Sequence, residues 1–87
     1  MALNFPNISR SYDETNKCVR FWGHDDAFEI AFFVDLEALL KLQSLPRVDE
    51  AAILIAFDRW RARITSVASA VYRRHRRSSY RLVAADF

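Results

Sequence analysis

Residues 49–75 read DEAAILIAFDRWRARITSVASAVYRRH, a stretch with no glycine and no proline. Its large apolar residues recur every three or four positions, which at about 100° per residue places them along one side of a helix. They are Ile53, Phe57, Trp60, Ile64, Val67 and Val71. Asp49 suits the N-cap, and the arginines from Arg73 onward suit the C-terminal end of the helix dipole. The pattern predicts one long amphipathic helix whose apolar side must pack against another element.

The segments before this helix predict an antiparallel sheet. Ser11–Asp13 and Cys18–Trp22 have the composition of two strands joined by a polar turn, and Gly23–Asp26 predicts the next turn. A third strand follows, because apolar residues alternate between its two faces. One face receives Phe28, Ile30 and Phe32, and the other receives Glu29, Ala31 and Phe33. The sequence therefore predicts a three-stranded meander with one strongly apolar side.

Three further elements complete the predicted fold. Asp35 is a candidate N-cap for a short helix that ends at Leu42, and Tyr80–Val83 has the β-propensity of a final strand. Leu3–Phe5 predicts a short strand or an anchoring arm. The order of elements is then β-β-β-α-α-β in a single α+β domain over residues 1–87, and the long helix packs across one sheet face. The position of the last strand in the sheet is left open.

Composition indicates a packed core without covalent or metal support. The chain is 52% hydrophobic and 14% aromatic, so its 87 residues supply large apolar side chains to bury. The single cysteine, Cys18, excludes an internal disulfide, and no Cys and His cluster has zinc-ligand spacing. No segment has the pattern of a signal peptide or a membrane span. We therefore expect a soluble cytoplasmic protein with no bound metal and no cofactor.

Charge is divided unevenly along the chain. Residues 1–58 carry ten acidic and five basic residues, whereas residues 59–87 carry eight arginines and a single acid, Asp86. Such asymmetry is typical of an interaction patch. It also arises when acidic and basic elements of one small domain face each other, and composition does not decide between the two.

The arginines supply one functional hypothesis, which is binding to a nucleic-acid backbone. On a continued helix, Arg59, Arg63, Arg73 and Arg77 fall within an arc of about 80° away from the apolar side. The candidate contact residues are Arg59, Arg63, Arg73, Arg74, Arg76 and Arg77. Tyr72 and Tyr80 flank the run and could stack on unpaired bases. We place this hypothesis second, because cations are common in the last turn of a helix and their stems often cover apolar surface.

Catalytic arrangements are few in this sequence. His24–Asp26 carries three polar residues, but neighbours in a tight turn diverge and do not converge on a metal ion. Cys18 begins an apolar strand, which favours a small buried residue over a nucleophile. Phosphate-binding glycine loops, nucleophile elbows and metalloprotease helices do not occur. We therefore predict no catalytic residue and no enzymatic activity.

The sheet supplies the first functional hypothesis, an accessory or protein-interaction module. Trp22 and Phe33 are predicted to lie on the face opposite Phe21 and Phe32. If helices cover only one face, these two aromatic residues remain at the surface, where such patches often bind a partner or form a homodimer. Trp22 and Phe33 are thus the candidate partner surface.

Several segments together resemble a known family. They are Phe5-Pro6-Asn7, Ser11-Tyr12-Asp13, Val19-Arg20-Phe21-Trp22-Gly23, Phe33-Val34 and Ala84-Ala85-Asp86-Phe87. This pattern is similar to that of the small bacterial proteins grouped as domain of unknown function 1488. The resemblance implies a small cytoplasmic bacterial α+β protein. It implies no activity, because the family has no established catalytic or binding residues.

Overall fold

A computed structural model of the chain describes residues 3–87, which form five strands, three α-helices and a terminal 3₁₀ turn. The strands are β1 (Leu3–Asn4), β2 (Arg10–Asp13), β3 (Cys18–Asp25), β4 (Phe28–Asp35) and β5 (Ser79–Leu82). The helices are α1 (Leu36–Leu42), α2 (Glu50–Arg59) and α3 (Arg61–Arg74), and the 3₁₀ turn is Ala84–Asp86.

All five strands belong to one mixed sheet. β2, β3 and β4 form an antiparallel meander, and β1 pairs with the end of β3 on the side that β2 also occupies. β5 pairs in parallel with β4 at the opposite edge. The predicted α+β class and the three-stranded meander are confirmed. The C-terminal strand, whose position the sequence left open, lies beside β4.

The predicted turn at Gly23–Asp26 is wrong at three of its four positions. β3 continues through Gly23 to Asp25, and the chain reverses at Asp26 and Ala27, where Asp26 has a positive φ of 55°. An aspartate tolerates this left-handed conformation better than most residues do. Gly23 has no positive φ and is needed for space, because a β-carbon there would lie 2.9 Å from Leu3 Cδ1.

The core lies between the helices and one face of the sheet, here called the core face. α1, α2 and α3 all contribute buried residues to a single hydrophobic cluster with the inward residues of β3, β4 and β5. Aromatic rings run through this cluster. Neighbouring centroids lie 5.2 to 6.0 Å apart in the series Phe57, Phe21, Phe32, Tyr80, Tyr72. Each such ring pair stabilises the folded protein by more than the burial of its apolar area alone would provide.

The predicted continuous helix is interrupted at Trp60. Its φ of −100° and ψ of 13° lie outside the helical region and separate α2 from α3. The indole Nε1 donates a hydrogen bond to Gln43 Oε1 at 2.9 Å, which ties the break to the segment after α1. No proline or glycine marks this position in the sequence. The interruption therefore coincides with a side-chain contact that forms only in the folded protein.

The most deeply buried residues of α3 are spaced by four positions. Ile64, Ala68 and Tyr72 are buried, whereas Val67 and Val71 are only partly buried. All six residues of the predicted stripe contact the core: Ile53, Phe57 and Ile64 are fully buried, and Trp60, Val67 and Val71 are partly buried against it. The buried residues follow a spacing of four, and the small Ala68 lies where α3 packs into the core.

Ion pairs hold the broken region against the sheet. Arg10 of β2 makes two hydrogen bonds to the Asp58 carboxylate, at 2.9 and 2.7 Å. Arg61 contacts Asp58 at 3.2 Å and also donates to the Ile8 carbonyl. The hydrogen bonds from Arg10 lower the pKa of Asp58, so the carboxylate is charged at neutral pH.

Candidate functional site

The sheet face opposite the core, here called the outer face, is the candidate partner surface. Side chains alternate along β3 and β4, and the helix residues of the core cluster all pack on the other face. The outer face carries Ser11, Asp13, Cys18, Arg20, Trp22, His24, Glu29, Ala31, Phe33, Asp35, Ser79 and Arg81. Trp22 and Phe33 lie on this face, as predicted, in the two central strands.

Arg20 organises the centre of the outer face. Its guanidinium carbon lies 5.0 Å from the centroid of Trp22 and 5.8 Å from that of Phe33. Arg20 is exposed, whereas both rings are partly buried. The exposed aromatic area is therefore smaller than the sequence predicted, because a guanidinium stacks on it. Such cation–π contacts hold an arginine in place while its N–H groups stay free to donate.

Arg81, on the edge strand β5 of the outer face, forms an ion pair. Arg81 Nη2 lies 2.5 Å from Asp35 Oδ1 and 3.0 Å from the Asn16 carbonyl oxygen. Asp35 precedes α1 as predicted, but its side chain makes no capping hydrogen bond. Its carboxylate contacts Arg81 instead.

Cys18 lies opposite Asp35 in the pairing of β3 with β4 and is buried, as predicted. Burial raises the pKa of its thiol, and the nearby Arg81 only partly opposes that shift. The thiol is therefore protonated at neutral pH, which is the unreactive form.

The two tyrosines beside the arginine run are core residues, and the prediction that they stack on bases is wrong. Tyr72 is 8% exposed and Tyr80 is 7% exposed, with their rings 6.0 Å apart. The Tyr72 hydroxyl donates to the buried Asp25 carboxylate at 2.5 Å, and this hydrogen bond raises the pKa of Tyr72. The Tyr80 hydroxyl donates to the His75 carbonyl. Neither ring is available to a ligand.

The predicted arginine strip is divided into separate groups. Arg59 ends α2, Arg63 lies on α3, and α3 itself ends at Arg74. Arg77 is therefore not on the helix, and the continuous arc that included it is wrong. The C-terminal group, here called the arginine cluster, consists of Arg73, Arg74, Arg76 and Arg77, all exposed. Arg76 stacks on the Tyr72 ring with its guanidinium carbon 5.3 Å from the centroid.

Most of these arginines have no internal counter-ion. Within residues 3–87, no carboxylate lies within 4.0 Å of the guanidinium of Arg59, Arg63, Arg73, Arg74 or Arg77. Arg61 and Arg81, by contrast, form ion pairs with Asp58 and Asp35, respectively. In the described part of the chain, the acidic N-terminal half thus supplies no ion pair to Arg73, Arg74 or Arg77.

The polar residues His24, Asp25 and Asp26 are separated by the hairpin. His24 and Asp25 lie on opposite faces of β3, and Asp26 is in the turn. In the part of the chain that the structure describes, no group of three or more His, Cys, Asp or Glu side chains is arranged to hold a metal ion. His24 and Asp25 are therefore strand residues, and Asp26 alone of the three belongs to the turn.

A family model for proteins of unknown function, DUF1488, matches residues 3–83. The chain belongs to this family. The match spans all five strands and all three helices, so the outer face and the arginine cluster both lie within the family's region.

No curated protein and no solved structure matches the chain. Among residues 3–87, none of the helices is long and apolar enough to cross a membrane. The outer face and the arginine cluster are the two surfaces of the described residues with candidate binding groups.

Proposed function

We propose that this protein is a non-catalytic interaction module of the bacterial cytoplasm that binds another protein through the outer face. The observation that carries the proposal is the contact of Arg20 with Trp22 and Phe33 on a sheet face opposite all the helices. Tryptophan and arginine are enriched among the residues that dominate binding energy at protein interfaces. The contact joins these residue types at the centre of an accessible surface.

The test is photo-crosslinking in the native cell from two matched positions on β4. Phe33 and Phe28 are each replaced by p-benzoylphenylalanine; Phe28 is 72% exposed but lies at the hairpin end. We expect Phe33→p-benzoylphenylalanine to give a discrete protein adduct that the Phe28 variant lacks. Trp22→Ser should weaken binding of the captured partner roughly 30-fold, the effect of losing a 2 kcal/mol anchor. Equal adducts from both positions, or none from either, would contradict the proposal.

A second candidate function is binding to a nucleic-acid backbone through the arginine cluster. It is supported by the unpaired guanidinium groups of Arg73, Arg74 and Arg77. Against it, Arg59 and Arg63 are not continuous with the cluster, and both tyrosines that would stack on bases are buried. Electrostatic contacts without base recognition typically give dissociation constants of about 10⁻⁴ to 10⁻⁶ M.

The decisive measurement is a titration of labelled single-stranded and duplex oligonucleotides at about 0.15 M salt. We expect no submicromolar binding. A variant with Arg73, Arg74, Arg76 and Arg77 changed to Gln should keep its fold, since exposed charges contribute little to stability. A variant with Arg59 and Arg63 changed to Gln removes two exposed arginines outside the cluster, and an Arg73→Gln, Arg74→Gln variant is its charge-matched counterpart within the cluster. Submicromolar binding that only the cluster variants lose would make nucleic-acid binding the preferred function.

A further inference from the structure

Arg20 is a positioned cation that makes no polar contact of its own. Within residues 3–87 its guanidinium forms no hydrogen bond and no ion pair. The rings of Trp22 and Phe33 nevertheless hold it at 5.0 and 5.8 Å. An arginine carries five N–H donors, and rings that restrict its motion reduce the entropy lost when those donors bind. The group is thus prepared for an acceptor that this chain does not supply.

The nearest carboxylates on the outer face are already engaged. Strand pairing places Ser11 and Phe33 directly opposite Arg20, with Asp13 and Asp35 one step away on the same face. Asp13 accepts hydrogen bonds from the Asn16 backbone and side chain, which lower its pKa. Asp35 is paired with Arg81. Asp13 and Asp35 lie on the same face as Arg20, but neither pairs with it because each is bound to another residue.

We propose that Arg20 binds the carboxylate of an Asp or Glu that a protein partner presents next to an apolar side chain. This inference rests on the proposed function and names the partner's chemistry. The planar guanidinium can donate a hydrogen bond to each of the two carboxylate oxygens, and the adjacent rings of Trp22 and Phe33 offer apolar surface to the neighbouring residue. The partner is thus an acidic and apolar segment.

The charges of the outer face favour this partner over nucleic acid. A phosphodiester chain requires a series of cations, whereas Arg81 is paired and Asp13, Glu29 and Asp35 add negative charge to the face. A symmetric dimer through the centre of this face is disfavoured too. A two-fold axis there would bring Arg20 of each copy together, and like charges at an interface are repulsive.

In the experiment, the full chain is the immobilised target, and peptides that bind it are selected from a displayed library of random linear sequences. Parallel selections use Arg20→Gln, Arg20→Glu and Trp22→Ser, with Arg63→Gln as the matched control for an exposed, unpaired arginine elsewhere. We expect the wild type and Arg63→Gln to enrich an acid beside an apolar residue. Arg20→Gln should weaken the best peptide roughly 10- to 100-fold, as expected for a lost charged hydrogen bond. Arg20→Glu should instead bind the same peptide with its acid changed to lysine.

Each other result overturns a defined part of the inference. If the wild type and Arg20→Gln enrich the same apolar peptides without acids, and Trp22→Ser does not, the outer face binds protein but the role of Arg20 is wrong. If no selection exceeds that of Trp22→Ser, the proposed function fails as well. Oligonucleotide binding near 0.15 M salt that Arg20→Gln abolishes would replace the protein partner with nucleic acid. A dimer in sedimentation that Arg20→Gln dissociates would replace it with a second copy.

Discussion

Replacing Phe32 with alanine should destabilise the protein by about 3 to 5 kcal/mol, the usual cost of deleting a buried aromatic ring. Phe32 is fully buried and stacks on Phe21 and Tyr80 with centroids 5.3 Å away on both sides. The ring of Phe5 approaches it at 5.8 Å. A chain of this length has a total stability of roughly 4 to 13 kcal/mol. The loss is therefore about a quarter of the total stability at the upper end of this range and all of it at the lower end.

Urea unfolding checks this expectation, and Phe28→Ala is its matched control. Phe28 lies on the same strand and at the same alternation as Phe32, yet it is 72% exposed. We expect Phe28→Ala to change the free energy of unfolding by no more than about 0.5 kcal/mol. Similar losses in both variants would show that the aromatic series is not the centre of the core.

Replacing Gly23 with valine should destabilise the protein by about 1 to 3 kcal/mol, although valine is the better strand former. A β-carbon at this position would lie 2.9 Å from Leu3 Cδ1, 3.0 Å from Phe5 Cε1 and 3.3 Å from Phe32 Cε2. The side chains of Leu3, Phe5 and Phe32 occupy the space that a side chain at position 23 would need. Crowding should therefore outweigh the gain in strand propensity.

A double-mutant cycle with Leu3→Ala isolates the crowding from other effects on β3. Removing the Leu3 side chain eliminates the shortest of the three contacts. We expect Gly23→Val to cost less in the Leu3→Ala background than in the wild type, and denaturant unfolding of the four proteins measures the difference. An equal cost in both backgrounds would assign the effect to the strand itself, and a stabilised Gly23→Val would refute the packing argument.

The features that the sequence predicts well are those set by local pattern. Alternation placed Trp22 and Phe33 opposite Phe21 and Phe32, and Asp49 does cap α2 by accepting from the Ala52 amide. The sequence does not predict the break at Trp60, because the break accompanies a hydrogen bond to Gln43, 17 positions earlier, and no local pattern indicates that contact. The mistaken turn at Gly23 has a similar origin. Glycine is usually needed for its backbone freedom, and here it is needed to make room for Leu3 and Phe5.

In the candidate site, too, the sequence predicts what depends on local pattern and does not predict what depends on contacts between distant residues. The sequence predicted both aromatic residues, but it did not predict Arg20, whose importance depends on carboxylates that pair elsewhere. Asp13 and Asp35 are close to Arg20 in strand register, and only the structure assigns them to Asn16 and Arg81. Charge counts likewise could not show that Arg73, Arg74 and Arg77 lack internal partners, since an ion pair depends on positions in space.

The parallel pairing of β5 with β4 also constrains the order in which the chain folds. β2, β3 and β4 are joined by short turns and can pair early, because closing a short loop costs little conformational entropy. β5 pairs with β4 only after residues 36–78 have been brought round, which is the longest closure in the sheet. Until then β4 is an unpaired edge that presents Phe32 without Tyr80. We therefore expect intermolecular strand pairing to be favoured in partly folded chains whose β5 has not yet docked.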